Sequence, residues 1–336
     1  MVPTTRFTDP AAVDAWDNWF RWRNGGALRD RTIDATWLRV ADAIAAAEGI
    51  QARTWAYLYV DAFSHWQLLP DERLLRMAGT GTKLSPFESP CATLNVAAFV
   101  IAPLTPQARF DRERFSSVAA LAVRLLDGAL VMMHGAAPTL SGLRIGVIGL
   151  ADALQLLGIR YDDKRAANQA CVVGEALANG TLRATTELAH ERGPIDAKPA
   201  HLVALWRDRG TPEALIKDAM RLGVRHTRLT AIEPQPRLAL LSNNASDAID
   251  PQPLGNRLAI GEASKTSAQV QPPITADATV TAQLAIRAAI QPWIDVPIDY
   301  PLAKTGETDQ QTIKSDTSVA GAQGACEPGF RCTLDQ

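Results

Sequence analysis

Between Leu143 and Tyr161 the hydrophobic pattern changes period. A β-branched run, Ile145 to Ile148, interrupted by Gly146, gives way after Gly149 to apolar residues at helical spacing, Leu150, Leu154 and Leu157. The first part reads as a buried strand or extended turn and the second as the helix it feeds. Gly149 falls where the backbone must turn and pack closely, and Gly158 where a helix would end on a left-handed residue. The glycines Gly142, Gly146 and Gly149 lack the Gly-x-Gly-x-x-Gly spacing of a dinucleotide turn, so the stretch is read as strand-to-helix packing. Short apolar runs from Ala92 to Phe99 predict a buried strand, and two periodic segments, Asp111 to Met133 and Lys164 to Arg192, predict helices. The order strand, helix, strand, helix, helix argues for an α/β fold with some parallel pairing.

The flanks have a different texture. Residues 11 to 66 hold six of the eight tryptophans, and Trp16, Trp19 and Phe20 fall on one face of a helix. Two further helices follow, one beginning at Asp34 and one from Ala52 to Trp66. Tryptophans at helical spacing are read as packing residues rather than stacking platforms. This gives a helical N-terminal module over residues 1–78. The loop Gly79 to Pro90 carries glycines, prolines and hydroxyls but lacks the Gly-Lys-Ser/Thr ending of a phosphate loop. Beyond Pro251 the chain is rich in Pro, Gln, Thr, Ser and Asp, with one predicted helix from Ala276 to Ile290. Residues 303–336 read as a flexible tail ending in Cys326-Glu-Pro-Gly-Phe-Arg-Cys332.

A length of 336 residues suits one large domain or two ordinary ones. A formal net charge of -2 gives no reason to expect nucleic acid or an anionic surface as partner. The longest apolar run, Leu94 to Leu104, includes Asn95 and Pro103 and is too short to span a bilayer, so no membrane association is expected. Four cysteines in so long a chain make no disulfide framework, and the N-terminus shows no apolar signal-peptide core. A cytoplasmic location is the expectation. The five histidines show no ligand spacing with acids or cysteines, and no metal site is expected.

The segment Arg144-x-Ile-Gly-Val-x-Gly-Leu-Ala-Asp-x-Leu-x-x-Leu-Gly158 resembles part of the catalytic (large) subunit of ribonucleotide reductase. Collinear neighbours carry the same resemblance: Cys91-Ala-Thr-Leu-Asn-Val, the helix from Phe110 to Met133, Ala184 to Pro194, Gly223 to Ile232, and Ser246-Asp-Ala-Ile-Asp-Pro251. Residues 85 to 255 are covered well and the flanks weakly. The resemblance implies a partial reductase-like α/β barrel over residues 79–302 and, by family activity, reduction of ribonucleotides to deoxyribonucleotides. The strands a closed barrel would place between the helical module and Cys91 are missing, so exposed sheet edges, self-association, or cover by the N-terminal helices is expected.

That chemistry needs a thiyl radical, two further thiols, and groups that handle protons. The family's radical cysteine lies in Asn-x-Cys-x-Glu, and this chain has no such motif; Asn168, Cys171 and Glu175 are spaced for a helix instead. The resemblance places Cys91 as one of two reducing thiols, without a cysteine N-terminal to it as partner. It places Cys326 and Cys332 as the tail's redox pair, with five intervening residues where the family has four. The family's phosphate turn corresponds to Pro234-Gln-Pro-Arg237, where hydroxyls are absent and Arg237 is left as a substrate-binding candidate. No tyrosine pair occurs between Trp293 and Tyr300. The preferred reading is a shortened, non-catalytic or regulatory relative, with a homo-oligomer or a complete reductase subunit as partner and nucleotide as a candidate ligand. The alternative is an active ribonucleoside-diphosphate reductase or thiol oxidoreductase using Cys91 and the tail pair. No cofactor is expected for the first; adenosylcobalamin or a radical-generating subunit would be needed for the second.

Overall fold

A computed structural model describes residues 4–87, 89–135, 142–251 and 279–302. The chain starts with α1 (Pro10–Ala15), capped by the Asp9 carboxylate with proline at its first position. The next turn, Trp16–Phe20, is π-helical. That wider turn buries Trp16 and Phe20 but leaves Trp19 37% exposed, so the three aromatics do not share one buried face as the α-helical spacing predicted. A hairpin of β1 (Arg23–Asn24) and β2 (Ala27–Leu28) follows. Then come α2 (Ile33–Ala45), capped by Thr32, and α3 (Ala52–Ser64), which packs against it. Trp37, with no exposed surface, packs at a tilt against Phe63 of α3 and edge to face against Trp66.

Two elements close the N-terminal part, β3 (Leu68–Pro70) and the short α4 (Glu72–Met77). After the loop come β4 (Cys91–Asn95), a tight pair of β5 (Val100–Ile101) and β6 (Arg109–Phe110), and α5 (Arg112–His134). By length and composition α5 could cross a membrane. Its apolar residues from Phe115 to Leu130 are instead buried in the core between the N-terminal helices, the sheet and the next long helix. The stretch from Leu143 to Tyr161, which organises the sheet and the helices around it, forms β7 (Gly142–Ile148) and α6 (Leu150–Leu156), joined by Gly149 at φ 72°. The long α7 (Lys164–Arg192), capped by Asp163, has the bounds its periodicity predicts. The rest is α8 (Ala200–Asp208), α9 (Glu213–Leu222), β8 (Arg228–Thr230), α10 (Pro236–Leu241) and α11 (Val280–Ile290).

The central sheet has the order β3-β4-β7-β8. β4, β7 and β8 are parallel, and β3 runs antiparallel to β4 with Leu68 opposite Leu94. The α/β class with parallel pairing holds, but among the described residues the strands form an open sheet and no closed barrel. Its edges are nevertheless not bare. β3, from the N-terminal part, occupies one edge and ends at Pro70, a residue suited to an edge because it has no N–H to offer. At the other edge Asp295 turns its carboxylate onto the backbone N–H groups of Leu229 and Thr230, at 2.8 and 3.1 Å. The Val296 N–H then donates to the Thr230 carbonyl. One continuous buried cluster runs from Trp16 to Ile294, and a smaller one joins Leu182, Trp206, Ile216, Ala219 and Val224.

Gly146 explains how closely β7 and β8 approach. A Cβ there would sit 2.4 Å from the Ala231 carbonyl oxygen. At Gly149 a Cβ would meet the Asn95 side-chain oxygen at 2.3 Å. These glycines serve strand packing and the turn into α6, as their spacing predicted. The tail, residues 303–336, with Cys326 and Cys332, lies outside the described residues.

Candidate functional site

The pleat of β4 sends Cys91, Thr93 and Asn95 to one face and Ala92 and Leu94 to the other. In register on β7 are Arg144, Gly146 and Ile148 beside the first set, and Ile145 and Val147 beside the second. The second face is wholly apolar and buried. The first is polar although Thr93 and Asn95 are buried, which makes it the face to search for chemistry.

Cys91 opens β4 and is half-buried. Its thiol donates to Asp71 Oδ2 at 3.2 Å, and its backbone N–H donates to the same oxygen at 3.1 Å. Asp71 is the N-cap of α4, accepts from the Arg73 N–H, and is gripped by the Arg73 guanidinium at 2.9 and 2.6 Å. Burial pushes the Cys91 thiol pKa far up, and the Asp71 charge and hydrogen bond add to it, against weaker opposing pulls from Arg144 and Arg73. Burial alone would raise the Asp71 carboxyl, but the hydrogen bonds from Arg73 and from the Cys91 N–H outweigh it and lower it. The pair therefore rests as thiol and carboxylate, with the sulfur as donor. That is the reverse of the electropositive setting that activates a thiolate. Arg144, beside Cys91 in the sheet, is ion-paired with Glu233.

The other predicted residues are placed apart. Cys171 is half-buried on α7 and is not disulfide-bonded, and Glu175, one turn further, pairs with Arg112 at 2.6 Å. Arg237 lies in the first turn of α10, where its guanidinium contacts Glu72 Oε2 at 3.2 Å and sits 5.3 Å from the Trp19 ring centroid. The amide that opens this turn, Gln235 N–H, donates to Asp247 Oδ1 at 2.6 Å. Burial raises the Asp247 carboxyl pKa, the amides of Gln235 and Ala248 opposing it. Both the cation and this backbone donor are thus engaged by acids of the same chain. The neighbouring loop is held by Gly149 N–H to Ser246 O at 2.7 Å and by Ser246 N–H to Asp152 Oδ2 at 2.6 Å.

Sequence reasoning missed a buried ionic network on the helical side. Asp127, in the middle of α5 and fully buried, meets Arg225 at 2.6 Å, His226 Nε2 at 3.2 Å, and Arg192. Arg192 continues to Glu48 at 2.6 Å, and Glu48 to Arg124 at 3.2 Å. Burial would raise the Asp127 carboxyl, but His226 and Arg225 outweigh it and hold it far below the usual range. Burial lowers the His226 pKa, Asp127 opposing and Arg225 and Arg192 assisting. The only signal in the sequence was an aspartate inside an otherwise apolar helical stripe. A cavity of about 170 Å³ lies beside the network, walled by Leu182, Leu202, Trp206 and Leu229 with His226 and Asp295; neither Cys91 nor Arg237 lines it. Among the described residues no group of three His, Cys, Asp or Glu could hold a metal ion.

Comparison with known proteins identifies the family of this domain. A family model described as ribonucleotide reductase, barrel domain, matches residues 89–270, more than half of the chain. The chain is similar to the vitamin B12-dependent ribonucleoside-diphosphate reductase of Mycobacterium tuberculosis, strain CDC 1551 / Oshkosh, at 31% identity over 121 residues. That match covers 34% of this chain and 17% of the relative. The protein of the same name from strain ATCC 25618 / H37Rv matches to the same extent.

Proposed function

This chain belongs to the ribonucleotide reductase family through its barrel domain, and on that premise we propose that it is a non-catalytic member with a structural or regulatory role. The observation that carries the reading is the engagement of Cys91. Its thiol is a hydrogen-bond donor to Asp71, a residue of the chain's own N-terminal part, and its pKa is raised rather than lowered. A reducing dithiol needs a second sulfur and a ready thiolate. Cys171, the other described cysteine, is on α7. Arg237, the phosphate candidate, is held by Glu72 and Trp19, which suits a tether between the N-terminal part and α10 better than a nucleotide contact.

The vitamin B12 dependence of the relatives raises adenosylcobalamin as a cofactor. The described residues do not fit its use: its radical needs a receiving cysteine, and the chain has no Asn-x-Cys-x-Glu while Cys91 is bonded to a carboxylate. The partner this reading favours is a complete reductase subunit or a second copy of the chain, in the cytoplasm.

The experiment supplies ribonucleoside diphosphate, a dithiol, and in turn adenosylcobalamin or a radical-generating subunit, and assays deoxyribonucleotide. No turnover is expected. Multiple turnovers abolished by Cys91→Ser would establish the alternative, an active reductase or thiol oxidoreductase.

A further inference from the structure

The hydrogen bonds at the end of α7 are saturated in a way that makes one histidine sensitive to acid. The Thr185 hydroxyl oxygen accepts from two backbone amides, Arg225 N–H at 3.1 Å and His226 N–H at 2.8 Å, and the Arg225 N–H is shared with the Thr185 carbonyl at 3.2 Å. Those two bonds use both of its lone pairs, so its one proton is left for His226 Nδ1, 3.1 Å away. The neutral imidazole therefore accepts at Nδ1 and carries its proton on Nε2, which stands 3.2 Å from Asp127 Oδ1 without the alignment of a hydrogen bond. His226 is 1% exposed and Thr185 has no exposed surface, so the hydroxyl and the imidazole meet in the interior.

We propose that Thr185 and His226 form an acid-released latch between α7 and the segment leading into β8. A proton added at Nδ1 sets a donor against the Thr185 hydroxyl. The hydroxyl must then rotate and accept from the imidazolium of the same residue whose amide it holds, giving up the His226 N–H, which unlike the Arg225 N–H does not share the Thr185 carbonyl. The charged groups around the ring decide how the new charge is received. Asp127 on α5 favours it, but that carboxylate is already shared by Arg225 and Arg192, and Arg192 also holds Glu48. Arg225 and Arg192 oppose it, while Arg228 and Asp295 stand across the cavity that His226 lines. The segment released, residues 225–226, borders that cavity, so the latch links protonation to loosening of the wall between α7 and β8.

The test follows the ring and the amides together in the isotope-labelled full chain, by nuclear magnetic resonance and hydrogen exchange corrected for its intrinsic pH dependence. At neutral pH the His226 ring should show the Nε2-protonated tautomer. As the ring titrates in the acid range below about pH 6.5, protection of the His226 amide should fall by about tenfold, one hydrogen bond's worth, while the Arg225 amide keeps the Thr185 carbonyl as acceptor. Thr185→Ser, which keeps the hydroxyl, should retain the step, and His226→Asn should remove it. A ring protonated on Nδ1 at neutral pH, or a ring that titrates while the His226 amide keeps its protection, would overturn the proposal. Should His226→Asn fail to fold, the wild-type chain and Thr185→Ser decide the matter alone.

Discussion

Three glycines of the organising stretch separate two reasons for being glycine, and alanine substitution measures each. Gly158 has φ 69° and nothing within 4 Å of where an added methyl group would stand, so Gly158→Ala tests left-handed strain alone. Its cost should be about 1 kcal/mol. At Gly146 the backbone angle is ordinary but a Cβ would stand 2.4 Å from the Ala231 carbonyl oxygen and 3.6 Å from Ile232 Cα. The obstacle is backbone, so relief requires β7 and β8 to separate, which should cost about 2–4 kcal/mol. Gly149→Ala combines φ 72° with a 2.3 Å contact to Asn95 Oδ1. Moving Asn95 sacrifices its bonds to Ala97 N–H and Ser242 Oγ, so the loss should be about 2–3 kcal/mol. Urea unfolding with the slope held common to all variants reads these as midpoint shifts. Both Gly146→Ala and Gly149→Ala should fall well below Gly158→Ala. A Gly146→Ala protein as stable as wild type, beside a weakened Gly158→Ala, would refute the claim that strand approach dictates the glycine.

Asp127→Ala strands Arg225, Arg192 and His226 in the interior and should cost about 3–5 kcal/mol in the same assay; a loss below about 1 kcal/mol would mean the network is solvated. Stability should also fall in acid in two stages. The lowered His226 pKa means the folded protein resists a proton that the unfolded chain accepts, so stability declines as pH drops below the ordinary 6.5. The lowered Asp127 pKa contributes stability above the ordinary 3.8 that is lost as pH falls through the folded value, and a single acid transition near the carboxylate range would contradict the first stage. Cys91 should alkylate slowly at neutral pH, and Asp71→Asn should speed it by removing the charge that discourages the thiolate; unchanged rates would separate the thiol from Asp71. Glu72→Gln, which weakens a half-exposed pair with Arg237, should shift stability by less than about 1 kcal/mol.

The parts that were legible in the sequence are those governed by local period. α7 begins and ends where the apolar spacing and its flanking aspartate and glycine say, and β7 turns into α6 at the glycine the pattern singles out. Trp19 misled because the spacing argument assumed 3.6 residues per turn, and the π-helical turn at Trp16 rotates it outward. Distant pairings were out of reach. Nothing near Asp71 in sequence announces that it will accept from Cys91, nor near Asp127 that Arg225 and His226 will arrive from 98 residues or more away. Periodicity records which side of an element faces inward, whereas the identity of a charge's partner is settled by how elements meet. The same limit hid the role of Leu68–Pro70, three residues whose strand character comes from the neighbour β4 rather than from any alternation of their own.

The treatment of the sheet's two margins bears on how this protein can meet another. With Leu68–Pro70 laid along one margin and the Asp295 carboxylate set against the amides of the other, an incoming peptide finds no continuous row of unpaired backbone groups to zip onto. Annexation of a foreign strand, the simplest route by which open sheets recruit partners or aggregate, meets a three-residue strand ending in proline at one margin and a carboxylate at the other. Side chains on the helical exterior are then the favoured ground for recognition, where single substitutions can retune it without touching the strands beneath.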